Sequence, residues 1–402
     1  MVRRLLRLVV FEHFPLATGL AFGFAQAVLA AWLVVLFEGP AAVPWRALVT
    51  AGGALAVVNA WAVPRLGSVR RRRALTGRLA AGYVGLAFMA IAVAAGVAAV
   101  AALLLGLSGV LAFVGIPASV GLELFRATSV GAATVIAASL AWAAWAGWTS
   151  LEVSEHRLPV PALAAPLVGL RIVHLSDLHI GNGLEGAALS ALVERVVALT
   201  PDLVAITGDL FDYNPDAVPD GARRLGALRA RLGVFAVLGN HDAYVGRERV
   251  AGCLAEHAPS LRLLRGEWHA LAAGAPLYLA GFDDPEHDWS LHGEDLPALA
   301  ELARGLPRDG PALLLAHRPE AFPQAAREGF SIVLSGHYHG GQIAVPGAAE
   351  RWNVARIFSA FPGGAYQLGD AHLYVSRGIG FAGPRVRLGS HPEVALLTLV
   401  PA

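Results

Sequence analysis

Five short segments of the chain concentrate residues that can hold metal ions or move protons. They are SDLHIG (176–181), TGDL (207–210), GNHD (239–242), AHR (316–318) and GHYHGG (336–341), in a chain of 402 residues. Asp177, His179, Asp209, Asn240, His317, His337 and His339 supply carboxylate, amide and imidazole donors without a thiolate. Such a set favours Mn²⁺, Fe²⁺/Fe³⁺ or Zn²⁺ over a soft copper site or an all-oxygen calcium cage. Two divalent ions held about 3.5–4 Å apart need a shared anionic ligand, which a carboxylate such as Asp209 can provide. In GHYH, alternate residues could direct His337 and His339 toward two neighbouring ions, with the glycines allowing sharp turns. Singly each segment is weak, because D-x-H and G-D recur by chance; their joint occurrence in this order is not.

The elements that must position them alternate in type. RIVHLS, LVAIT, VFAVL, LYLAG, ALLLA and SIVLS each have strand length and aliphatic content. Helix-like runs such as ALSALVERVVAL and DGARRLGALRARL stand between several of them. The pattern predicts an α/β domain over 171–402, with a linker at 151–170. Each chemical segment follows a strand, and loops at the carboxyl ends of strands share one edge of an α/β sheet, where ligands bind.

The first 150 residues differ in kind. The whole chain is 56% hydrophobic and 15% charged, with mean hydropathy +0.56, above the usual soluble range. Four transmembrane helices are expected, at 14–37, 47–63, 79–105 and 128–148, each near the ~20 residues that cross a bilayer. Residues 106–126 are ambiguous between a re-entrant stretch and part of a fifth span. The N-terminus does not read as a removable signal peptide, since apolar spans continue after it. Arg3, Arg4 and Arg7 precede the first span, and Arg65, Arg70–Arg73 and Arg78 separate the second from the third. Under the positive-inside rule both clusters are cytoplasmic, and an even span count returns the following domain there.

Composition also excludes functions. The chain contains no lysine, hence no Walker A phosphate loop. A formal charge of +1 and no broad basic tract argue against nucleic acid as a partner. The single cysteine, Cys253, rules out an intramolecular disulfide and a cysteine-rich zinc module.

In order and spacing, SDLHIG, TGDL, GNHD, LLAHRPE and LSGHYHGGQI resemble the motifs of the calcineurin-like metallophosphoesterase superfamily. GHYHGGQI and the later LYVSRGIG are similar to its YkuE-type branch, which includes transmembrane proteins with a metallophosphoesterase domain. The resemblance runs from Leu170 to the C-terminus and implies a calcineurin-like α/β sandwich with two divalent ions. One ion would take Asp177, His179, the bridging Asp209 and His339; the other would take Asp209, Asn240, His317 and His337. His241 would face the substrate, stabilising the transition state or protonating the leaving group. Asp242 would orient that ring or cap the following turn. Tyr338 stands where the branch usually has threonine, and its side chain is expected to point away from the ions.

The implied activity is hydrolysis of a phosphodiester or pyrophosphate by a hydroxide bridging the ions. The implied partners are the lipid bilayer and an amphiphilic or lipid-linked phosphoester. The branch includes UDP-2,3-diacylglucosamine pyrophosphatases of lipid A synthesis, which makes that glycolipid precursor the first candidate substrate. It also makes the bacterial inner membrane the expected location. A general phosphodiesterase or phospholipid phosphatase is the alternative. A metal-binding scaffold is a further rival, but its expected signature is a missing ligand or a replaced His241. A transporter would need an ionisable cluster inside the spans, and Glu12, His13, Gln26 and Asn59 are too scattered or too close to span ends to support it. Arg318 could pair with a phosphate or face solvent. Asp283 and Asp284 could line the cleft or serve a turn. The apolar stretch 358–369 could meet an acyl chain or pack as an ordinary loop.

Overall fold

The computed structural model describes residues 14–70, 74–113, 115, 117–285, 295–349 and 351–402. The chain divides into two units near residue 145. Arg3, Arg4, Arg7, Glu12, His13 and Arg71–Arg73 lie outside the described residues.

The first unit contains helices α1 (Phe14–Phe37), α2 (Trp45–Arg70), α3 (Ala74–Phe113) and α4 (Ala118–Thr149). Small residues let the first two approach closely: a side chain at Gly19 or Gly23 would strike the backbone of Ala60 or Ala56. Trp32 Nε1 donates to Ser129 Oγ at 2.9 Å, tying α1 to α4. Phe24, Val49, Trp61, Leu86, Leu105 and Trp145 are exposed, an outer surface suited to lipid rather than water. Among the described residues three segments, Gly19–Phe37, Leu86–Leu105 and Ser119–Trp145, are long and apolar enough to cross a bilayer. Four spans are expected from the sequence; the one expected at 47–63 lies within α2. The ambiguous stretch resolves into the last turns of α3 and the start of α4. Gln26 and Asn59, far apart in sequence, are joined by a 3.2 Å hydrogen bond, and Tyr83 donates to Asn59.

The second unit is built on two six-stranded sheets. The strands are β1 (Glu152–Val160), β2 (Arg171–Leu175), β3 (Leu203–Thr207), β4 (Val234–Val237), β5 (Leu261–Leu263), β6 (Glu267–Ala270), β7 (Tyr278–Gly281), β8 (Ala312–Leu315), β9 (Ile332–Ser335), β10 (Gly364–Leu368), β11 (Ala371–Val375) and β12 (Glu393–Pro401). One sheet runs β1-β12-β2-β3-β4-β5, the other β10-β11-β9-β8-β7-β6. β2 to β5 are mutually parallel, as are β7, β8, β9 and β11. The helices are α5 (Gly186–Ala198), α6 (Val218–Leu225), α7 (Asn240–Val245), α8 (Arg247–His257), α9 (Pro297–Arg304) and α10 (Phe322–Arg327).

Alternation along each strand sends side chains to two cores. Ile172, Leu203, Phe235 and Val237 meet Leu279, Leu313, Leu315 and Ile332 between the sheets. On the outer faces, Val173, Val204 and Ala236 pack against Leu189, Val196, Leu225 and Leu254 of the helices, while Leu314 and Val333 pack against Leu299 and Phe322. Both faces of the central strands are therefore dry, which is why they read as unbroken apolar runs.

Within 151–170, expected as linker, residues 152–160 form an edge strand parallel to β12. Glu152, His156 and Arg157 disguise it, yet Leu158 and Val160 are buried. Pro159 is tolerated there because only one side of the strand is paired. Residues 364–368 form β10, and Phe361 packs edge-on against Phe322 and Tyr366. The stretch 358–369 therefore packs as part of the domain.

Candidate metal centre and active site

The loops after β2, β3, β4, β8 and β9 converge at the carboxyl edge of both sheets. Their backbones are strained at the residues that matter. Eight non-glycine residues have positive φ among those described, and five of them are Asp177, His179, Asp209, His337 and His339, between 45° and 75°. Such a conformation costs about 1–3 kcal/mol per residue and persists only where surrounding contacts impose it. Here the loops lace together: Asp177 N donates to Gly208 O at 3.0 Å, His179 N to Asp209 O at 3.0 Å, and Gly336 N to His317 O at 3.0 Å.

The side chains form two adjoining groups. In the first, His179 Nε2 lies 3.0 Å from His339 Nε2, and His339 Nε2 lies 3.2 Å from Asp177 Oδ1. In the second, His317 Nε2 lies 3.1 Å from Asn240 Oδ1 and 3.2 Å from His337 Nδ1. Asp209 Oδ2 stands between them, 3.6 Å from His179 Nε2 and 3.3 Å from His317 Nε2. All seven ligand candidates named from the sequence are thus brought together.

Charge and protonation suit a cation. Burial drives His179 down to about 3, and burial with Arg318 nearby holds His337 well below the ordinary imidazole range, so both stay neutral. Burial opposes ionisation of Asp177 and Asp209, yet His339 beside the former and His317 and His241 beside the latter keep both well below the usual carboxylate range. Burial also pulls His317 down, but Asp209 outweighs it and raises the imidazole to about 10. Its Nδ1 donates to Thr207 O at 2.8 Å, so the acidic proton sits on Nε2 among the acceptors, where a divalent ion would replace it. Neutral His179 and His337 beside ionised Asp177 and Asp209 are donors of the kind a divalent metal needs.

His241 is held differently. Its Nδ1 donates to Asp212 Oδ1 at 3.0 Å, and its ring meets His179 edge-on at 4.6 Å. Burial lowers its pKa, but Asp209 and the Asp212 hydrogen bond more than offset this and raise it. Asp242 does not orient that ring. It caps the turn instead, accepting from the backbone N–H groups of Gly239 (2.8 Å), Phe211 (2.9 Å) and Leu210 (3.2 Å). Burial and the neighbouring Asp209 push its carboxyl up to about 7 against those three donors.

Two glycines are dictated by close approach. A Cβ at Gly239 would strike Asp209 Oδ1, and one at Gly336 would strike Ser176 Oγ and Asp177 Oδ2. Gly336→Ala is expected to displace Asp177 and weaken Mn²⁺ binding roughly 10- to 100-fold, as measured by metal titration. An unchanged affinity would mean that Asp177 does not hold an ion.

A family model described as calcineurin-like phosphoesterase matches residues 170–341. A metallophosphoesterase of Aquifex aeolicus is 31% identical over 235 residues, covering 57% of this chain and 85% of that protein. The chain belongs to the calcineurin-like phosphoesterase family. A Bos taurus protein named "transmembrane protein with metallophosphoesterase domain" is 35% identical over 266 residues, or 63% of this chain. The match spans 57% of the bovine protein's length. The metallophosphoesterase YkuE of Bacillus subtilis is 28% identical, covering 62% of this chain and 85% of YkuE.

In this phosphoesterase-family domain, two supports escaped the sequence. Asp212 offered one faint signal, a carboxylate three residues after Asp209. Arg387, buried, places Nη2 3.1 Å from His339 Nδ1 and donates to the carbonyls of Gly380, Arg377 and Ser390. Arg318 neither faces solvent nor stands apart from the acidic pair; it is buried, with Nε donating to Asp284 Oδ2 at 2.7 Å. Tyr338 turns away from the centre, its hydroxyl donating to Glu320 at 2.8 Å.

Proposed function

We propose that this protein is a membrane-anchored, dinuclear metal-dependent phosphoesterase. It cleaves a phosphodiester or pyrophosphate bond in an amphiphilic, lipid-linked substrate at the cytoplasmic face of a bacterial inner membrane. The observation that carries the reading is the single oxygen, Asp209 Oδ2, lying between the two ligand groups at 3.6 and 3.3 Å. One carboxylate so placed can serve two ions, and the remaining six ligands divide evenly around it.

Two bound ions would supply Lewis acidity and lower the pKa of a water held between them. The chain does the rest. Asp177, His179 and His339 would fix one ion; Asn240, His317 and His337 would fix the other. His241 carries its transferable proton on Nε2, because Nδ1 is committed to Asp212, and it can protonate the departing oxygen. The exposed apolar helices support attachment to a bilayer. The arginines at 65–78 support the cytoplasmic placement if α2 also crosses.

The test is an assay of full-length protein in detergent with Mn²⁺ against bis-p-nitrophenyl phosphate and UDP-2,3-diacylglucosamine. Release of UMP, lost in Asp209→Ala, would support the glycolipid precursor as substrate. Cleavage of the diester alone would retain the phosphoesterase and reject that substrate. Absence of both activities in metal-loaded protein would count against catalysis.

A further inference from the structure

Two tyrosines flank the acid–base histidine from different elements. Tyr213 follows Asp212 in the loop after β3, and Tyr244 lies three residues beyond His241 on α7. Their rings are nearly parallel, with centroids 4.8 Å apart and planes 6° from each other. Both meet the His241 ring at steep angles, with centroid distances of 5.5 Å for Tyr213 and 4.8 Å for Tyr244. The pair therefore stands against the one imidazole assigned to the substrate side. On the helix, Tyr244 shares a face with Asn240, four residues earlier, so its ring is also beside a metal ligand.

The aromatics in this region are not all core. Phe211, two residues before Tyr213, is fully buried, whereas Tyr244 keeps 40% of its surface exposed. Tyr213 stacks on one face of Tyr244 and His241 meets its ring at 63°, yet the residue keeps open surface. A fixed, partly open ring is suited to stacking against another π-face; a saturated group of equal size gains contact area but not that interaction.

We infer that the Tyr213–Tyr244 stack is a recognition platform for a substituent on phosphorus, and that the site prefers phosphoesters bearing an aryl or nucleobase group over saturated ones. The inference rests on the phosphoryl group being bound at the metal centre, as proposed above.

The experiment is calorimetry of full-length, Mn²⁺-loaded protein in detergent with phenylphosphonate and cyclohexylphosphonate, which share an anion and resist hydrolysis. Wild type is expected to bind the phenyl compound roughly 10-fold more tightly. Tyr244→Ala should erase that preference while holding cyclohexylphosphonate within about threefold, and Tyr244→Phe should keep it. Equal affinities in wild type would overturn the platform. So would a Tyr244→Ala variant that weakens both ligands alike, which would make Tyr244 a support for Asn240 and His241. If wild type binds neither phosphonate, the phosphoryl site itself is wrong and the platform falls with it, an outcome distinct from binding both without preference.

Discussion

Asp209→Asn is expected to empty both ion positions at once and to lower turnover by at least about 10³-fold. The magnitude follows from removing several kcal/mol of transition-state charge stabilisation, at about 1.36 kcal/mol per decade. Asparagine keeps the shape of the side chain and an oxygen for the 2.8 Å hydrogen bond from His241 N. What it loses is the charge that both ligand groups share. Metal content of the purified variant, measured by mass spectrometry, should fall from two ions toward none. Mutation of a ligand belonging to one group, such as His339, should instead leave one ion behind. A fully loaded and active Asp209→Asn would refute the shared-ligand reading. In metal-stripped wild type, Asp209 raises His317 to about 10 in the fold, from an ordinary imidazole value when unfolded. That pair therefore contributes stability fully present below about pH 6.5 and lost as pH rises through about 10. The variant should show a flatter profile, read from denaturation midpoints across pH.

The candidate centre was legible because its proposed ligands follow strands that announce themselves. LVAIT, VFAV, ALLL and IVLS are buried on both faces, and RIVHL is buried beyond Arg171, so all five read as mainly aliphatic runs and the polar residues after them stand out. Edge strand β1 was not legible, because it depends on pairing with β12 more than 200 residues away and alternates burial with charge. Asp242 looked like a partner for His241 because the two are adjacent. Adjacent residues on a helix point in different directions, however, and the ring finds Asp212 from another loop while Asp242 turns to the backbone. Arg387 had no signal at all, since its contact with His339 depends on a loop placed 48 residues later. The Gln26–Asn59 bond was hidden for a similar reason, because only helix packing brings the two residues together.

His241→Ala is expected to cost 10²- to 10⁴-fold in kcat, but the loss should depend on what departs. A p-nitrophenolate leaving group is weakly basic and needs little help from a proton. An alkoxide or nucleoside leaving group needs a proton in the transition state, so the larger loss belongs to it. A variant that loses equally with both would mean that His241 stabilises charge on phosphorus instead of serving as the acid. Asp212→Asn separates orientation from acidity, because the amide oxygen can still accept from Nδ1 while the negative charge is gone. Asp209 and Asp212 together raise the His241 pKa in the fold. A raised imidazole stays protonated to higher pH, and activity that needs its proton falls as pH climbs through that value. Without the Asp212 charge the pKa drops, so the basic limb of kcat/KM should move to lower pH while metal content stays at two. No movement of that limb, with metal retained, would assign it to another group and leave Asp212 a purely structural partner. A shift with both ions in place would identify His241 as the proton donor and Asp212 as the residue that sets its working pH.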